Sequence, residues 1–135
     1  MKTPMIRKYS MAKDADRKIA LNFRVKEFAC KDGTDEVLID DDVLRIIQLM
    51  RTDLKKPLHI ISGYRTKNYN DKIGGAVNSY HIKGQAVDIE VYGIDKIELA
   101  LLAVRCGANG VIVYDKYDYI HIDTRTFHYL RHNKN

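Results

Sequence analysis

Two short segments of this 135-residue chain, residues 85–91 and 119–124, alternate apolar and polar residues with a period of two. That period marks a half-buried strand, because successive side chains of extended backbone point to opposite faces. In the first segment Val87, Ile89 and Val91 point one way and Ala86, Asp88 and Glu90 the other; in the second, Ile120 and Ile122 oppose Tyr119, His121 and Asp123. If the two strands are neighbours, their aliphatic residues share a core face, and Asp88 and His121 project together from the opposite face. His81 stands in the loop before the first strand, with the Gly84 turn between it and Asp88, where it can close a third corner. Two imidazoles and one carboxylate are the ligand set of a catalytic zinc site, which keeps a fourth position open. The competing reading is of two amphipathic strands with their polar residues in water, and spacing alone leaves both standing.

The rest of the chain supplies elements to cover the core face. Residues 40–54 are the clearest helix: Asp40, Asp41 or Asp42 caps it, Val43, Leu44, Ile47, Met50 and Leu54 form one stripe, and Lys55-Lys56-Pro57 stops it. Residues 95–106 form a second helix, with Asp95 and Glu98 in capping-box spacing and Gly107 suited to the C-terminal cap. Short strands are expected at residues 58–61 and 111–114, and a brief helix at 66–73 closed by Gly74-Gly75. A short helix at residues 12–21 in an otherwise mobile arm, and a frayed basic tail from Phe127, complete the reading. There are no repeats, low-complexity tracts or linkers. The expected fold is α+β: a single domain with a small, mostly antiparallel sheet and flanking helices. Its body is residues 22–126, between a basic arm (1–21) and a basic tail (127–135).

Composition narrows the function classes. The hydrophobic share of 45% and charged share of 30% are those of an ordinary water-soluble domain. Cys30 and Cys106 form no C-x-x-C pair and are expected to be free, buried thiols. No apolar run is long enough to span a membrane, and the first eighteen residues lack a signal-peptide core; synthesis in the cytoplasm and a monomeric state are expected. The net charge of +5, concentrated toward the two ends, favours anionic partners, although a merely basic surface explains it as well. No recognition motif accompanies it, so nucleic acid is not expected as a partner. His59, His128 and His132 lack any such context and are read as structural.

Beyond spacing, the residues match a family. Ser62-Gly63-Tyr64-Arg65, Gly74-Gly75, Asn78-Ser79-Tyr80-His81, Gly84-x-Ala86-x-Asp88 and His121-x-Asp123, in that order, resemble the zinc D-Ala-D-Ala carboxypeptidases, the M15 peptidases. Within them the chain looks most like the small peptidoglycan-cleaving branch of bacteria and phages. Phe28-x-Cys30-Lys31-Asp32-Gly33 and Gly107-x-x-Gly110-Val111 agree as well. The resemblance implies the fold shared by hedgehog signalling domains and DD-peptidases, with zinc held by His81, Asp88 and His121. It implies that Arg65 steadies the substrate near the scissile bond, that Ser79 contacts substrate, and that an acidic general base stands three positions before the last histidine, at Asp118. More distant members place that base about six positions before, at Asp115. Asp123, on the ligand face, is a further candidate or a residue that orients a ligand, and Tyr119 is placed to steady an oxyanion.

The implied activity is zinc-dependent hydrolysis of peptide bonds in bacterial peptidoglycan stem peptides, by a D-Ala-D-Ala carboxypeptidase or an endolysin-type endopeptidase acting at the cell wall. Without an export signal, a phage or prophage lysis protein is expected, its basic termini helping to hold it on the anionic wall. The rival is a non-catalytic, zinc-stabilised module of the same fold that binds wall or protein partners. Which peptidoglycan bond is cut is not written in any motif.

Overall fold

The computed structural model describes residues 3–134; Met1, Lys2 and Asn135 of the expected basic ends lie outside the described residues. In chain order the elements are β1 (Ile6–Ser10), α1 (Met11–Asp14), β2 (Lys18–Ala20), β3 (Phe23–Arg24), β4 (Glu36–Asp40), α2 (Asp41–Leu54), β5 (His59–Ser62), α3 (Lys67–Lys72), β6 (Ala86–Glu90), α4 (Lys96–Arg105), β7 (Gly110–Tyr114), β8 (Ile120–Asp123) and β9 (Tyr129–Asn133). Two 3-10 turns, Val25–Phe28 and Tyr80–Lys83, lie between them. The fold is α+β in a single domain.

The two helices legible in the sequence begin where their caps stand. The Asp40 carboxylate accepts the Asp42 N–H at 3.0 Å, and Asp95 accepts from Ile97 and Glu98 at 3.1 and 3.2 Å, satisfying donors that have no partner inside the helix. Helix α2 ends at Lys55 in the left-handed region (φ 57°), whose N–H returns to the Arg51 carbonyl. Its buried stripe is Val43, Leu44, Ile46, Ile47 and Met50. It packs on α4, which lies across β7 and β8.

The alternating segments are neighbours in a five-stranded sheet ordered β5-β6-β8-β7-β9. Strands β6 and β8 run antiparallel with Val87 opposite Ile122, Asp88 opposite His121 and Ile89 opposite Ile120. One face, carrying Val87, Ile89, Val111, Val113, Ile120 and Ile122, is buried in a core shared with α2, α4 and the Phe23–Phe28 pair. Each such Ile or Val contributes roughly 1.5–3 kcal/mol of burial, which fixes the register: a slip of one residue would exchange the two faces. The other face carries the polar alternates.

Both ends of the chain differ from expectation. The arm is not mobile over residues 6–10: β1 pairs antiparallel with β4, Ile6 opposite Asp40 through Ser10 opposite Glu36, and Arg7 bonds Asp41 at 2.9 Å. The helix expected at 12–21 is one turn, α1. Asp14 and Asp35 accept the backbone N–H groups of Ser10 and Ala12 at its start, and the Arg17 N–H returns to the Asp14 carbonyl at 2.8 Å as the chain turns out toward β2. The tail is not frayed: β9 pairs parallel with β7 over Tyr129–Asn133. Without it, the outer edge of β7 would leave a row of backbone donors and acceptors without sheet partners.

Candidate metal centre

Three polar side chains are buried where β6, β8 and the Tyr80–Lys83 turn meet: His81 is 2% exposed, Asp88 4% and His121 7%. Asp88 Oδ1 lies 3.3 Å from His81 Nε2 and 3.3 Å from His121 Nδ1, and one ligand atom from each residue falls within 4.8 Å of the others. The turn reaches this spot because Ser79 caps it, its hydroxyl accepting the His81 N–H at 3.2 Å. Gly84 then closes it at φ 74°, where a Cβ would strike the Leu38 carbonyl.

The outer nitrogens of both imidazoles are committed. His81 Nδ1 stands 2.7 Å from the Gly63 carbonyl, which only accepts, so Nδ1 carries the proton and Nε2 is turned to the cluster. His121 Nε2 stands 2.7 Å from Asp123 Oδ2, so its proton sits there and Nδ1 faces inward. Gly63 is set against the Phe28 backbone, 2.7 Å from where a Cβ would be, so its carbonyl stays in line with His81. Asp123 is fully buried and accepts two bonds from the Arg125 guanidinium, at 2.8 and 2.6 Å, and a third from the Arg125 backbone N–H at 3.1 Å. A carboxylate or carbonyl behind each metal-ligating histidine is the usual way that ring orientation and tautomer are set.

Burial opposes ionisation of Asp88, but hydrogen bonds from His121 and His81 outweigh it and hold the carboxyl well below the usual range. Asp123 behaves alike, burial being overcome by Arg125 and His121. For His121, burial works against the proton while Asp123 and Asp88 draw it, with a net rise above the ordinary value. The donor set therefore fits a zinc ion: two inward imidazole nitrogens, an ionised carboxylate and satisfied outer nitrogens.

Arg65 is tied to the same cluster. Nη2 donates to Asp88 Oδ2 at 3.2 Å, Nη1 to Asn70 Oδ1 at 3.2 Å and Nε to Ser62 Oγ at 3.1 Å. Asn70 is itself fully buried and also donates to the Ala76 carbonyl. These groups open into a cleft of about 540 Å³, with Ser79 and Tyr119 on its lining and Tyr114, Tyr117, Tyr80 and Arg125 around them. Tyr117 and Tyr119 stack at 4.9 Å, with Tyr114 edge-on to both. Burial, then the charge of Asp88, pushes the Tyr114 phenol up to about 12 and raises Tyr119 also.

The structure thus brings together His81, Asp88, His121, Arg65, Ser79 and Tyr119. It places Asp118 elsewhere, exposed on a groove with Glu90 and Lys96, and Asp115 at the surface, bonded to His132 at 2.7 Å. Asp118 lies in the bend before β8 and not in the strand, so the alternation that sets His121 does not extend to it. Sequence reasoning missed Asn70 and Arg125, and it gave no role to Ser62 and Gly63 although both stand in the Ser62-Gly63-Tyr64-Arg65 motif.

A family model described as peptidase M15 matches residues 21–123. The peptidoglycan L,D-endopeptidase MepK of Escherichia coli K12 is 37% identical over 89 residues, which cover 62% of this chain and 48% of that protein. The probable peptidoglycan L,D-endopeptidase MepK of Haemophilus influenzae is 36% identical over 72 residues, 50% of this chain and 39% of that one. The chain thus spans about half the length, or less, of these curated relatives. The family match runs from β3 through β8 and takes in His81, Asp88, His121 and Arg65, and by it this chain belongs to the M15 peptidase family.

Proposed function

We propose that this chain is a zinc-dependent peptidase that hydrolyses peptide bonds in bacterial peptidoglycan stem peptides. One observation carries the reading: His81, Asp88 and His121 converge at an open cleft with their tautomers already set by Gly63 and Asp123. His81 Nε2, Asp88 Oδ1 and His121 Nδ1 are the atoms that would hold the metal. When bound, zinc supplies Lewis acidity, polarising a peptide carbonyl and easing the ionisation of a water.

The protein's own groups do the rest. Asp88 holds its ligand geometry through Arg65, which clamps the second carboxylate oxygen. Three of the five guanidinium donors are engaged by Ser62, Asn70 and Asp88; the others are left for a substrate carbonyl or carboxylate, with no reorganisation needed when it arrives. Tyr114 and Tyr119, kept neutral by burial and by Asp88, retain phenolic protons to donate to an oxygen gaining charge. Asp123 acts through His121 as a positioning residue. The names of the relatives favour an endopeptidase over a carboxypeptidase, and the cleft, with tyrosines on its lining, suits a chain bound along its length.

Digestion of purified peptidoglycan with and without a chelator, with products read by mass, tests this. Expected are new peptide fragments that vanish with chelator and return with added zinc. Absence of any metal-dependent product from wall material of several chemotypes would sink the proposal.

A further inference from the structure

Tyr80, one residue before His81, lines the cleft and carries two cations on its ring. Lys83 Nζ lies 5.0 Å from the ring centroid and the Arg125 guanidinium carbon 4.7 Å from it. Arg125 is matched by Asp123 at 2.6 Å and is backed by the Tyr129 ring at 4.3 Å. Lys83 is exposed, and its ammonium has no acidic partner among the described residues. Elsewhere in the cleft Arg65 is balanced by Asp88. Lys116 sits 5.5 Å from the Tyr117 ring in an exposed loop that also carries Asp115 and Asp118. Lys83 is not on the cleft lining, but its ammonium stands 5.0 Å from the ring of Tyr80, which is, next to His81.

We propose that Lys83, resting on Tyr80 next to Arg125, is a specificity-determining residue that binds a free carboxylate of the peptide flanking the scissile bond. This deepens the peptidoglycan reading and rests on it, because stem peptides carry carboxylates that are free in some walls and amidated in others. An exposed cation–π contact is weak, and the lysine stem is flexible with three rotatable donors. The ammonium can leave the ring for a carboxylate at little cost, while Arg125 stays bound to Asp123. A neutral carboxamide gains nothing from the ammonium's charge.

The test uses soluble muropeptides in their free-carboxylate form and the same material after carbodiimide coupling to ammonia, competed in one reaction. The wild-type chain is expected to favour the free form in kcat/KM by roughly three- to tenfold at low salt, an exposed single-charge effect, and less so as ionic strength rises. K83Q should bring the ratio toward one and K83E below one, with K116Q keeping the wild-type ratio; thermal melts confirm that each variant folds. Equal cleavage of both forms by the wild type, or a wild-type ratio retained in K83E, overturns the inference and leaves the peptidase reading intact. Cleavage of neither form overturns both.

Discussion

Asp88 and His121 face each other directly across the antiparallel β6–β8 pair, with Asp88 Oδ1 3.3 Å from His121 Nδ1. The aliphatic residues that alternate with them bury the other side of the same two strands. The core packing that selects the register therefore also brings Asp88 and His121 together, and neither can be moved without the other.

Arg65 holds Asp88 with a planar fork whose other arms reach Ser62 and Asn70. R65K keeps the charge and loses the fork, so kcat is expected to fall on the order of 10²-fold with KM less affected. Steady-state kinetics on a defined muropeptide checks this; an unchanged kcat would remove Arg65 from the mechanism.

Gly110 lies opposite Asp123, and a Cβ there would overlap the Asp123 carboxylate. G110A should cost roughly 1–3 kcal/mol in overpacking and displace Asp123 from His121. Thermal unfolding and zinc titration are expected to show both losses together, and full zinc affinity in a folded G110A chain would refute the linkage.

The buried charges set opposite pH trends. Asp88 and Asp123 are held low in the folded chain, so their contribution is present above the ordinary carboxylate range and lost as pH falls through the folded values. His121 is raised, so its contribution is full below its ordinary value and lost as pH rises through the raised one. Zinc needs that proton gone. As pH rises above the ordinary histidine range the metal-free protein should lose stability, by at most roughly 1.4 kcal/mol for each pH step of about one, until the raised value is passed. Its Tm should fall accordingly, while the zinc-induced rise in Tm grows. A metal-free Tm that climbs over this range would contradict the His121 assignment.

Asp123 and Asp118 separate cleanly by geometry. D123N removes the acceptor behind His121 and is expected to cost about 10- to 100-fold in zinc affinity or activity. D118N alters an exposed residue that lines a groove with Glu90 and Lys96 and not the cleft, so its effect on kcat/KM is expected to fall well short of the roughly 10²- to 10⁴-fold that loss of a general base costs. A larger loss in D118N, with zinc affinity retained, would restore it as the general base.

Much of the site was legible because its signals are local. Period-two alternation placed Asp88 and His121 on one face, and the Ser79–Gly84 stretch placed His81 before it. The capping aspartates marked α2 and α4 for the same reason, since a cap satisfies backbone donors two or three residues away. The Asp118 expectation came from the family resemblance, as an offset of three from His121, and no strand pattern reaches it because β8 begins only at Ile120.

What the sequence determined by itself is the pattern of faces: which residues must be buried, and therefore which polar residues are left together on the other side. Only the tertiary structure decided how those residues are held. The Gly63 carbonyl behind His81, Asn70 and Ser62 behind Arg65, and the Arg125 clamp on Asp123 depend on the exact packing of turns and strand ends. The edge strands β1 and β9 were set the same way, by β4 and β7 having backbone edges to satisfy. Hydrophobic periodicity follows from the local geometry of the chain, whereas a hydrogen bond needs its partner within about 3 Å, and that distance exists only once distant segments have met.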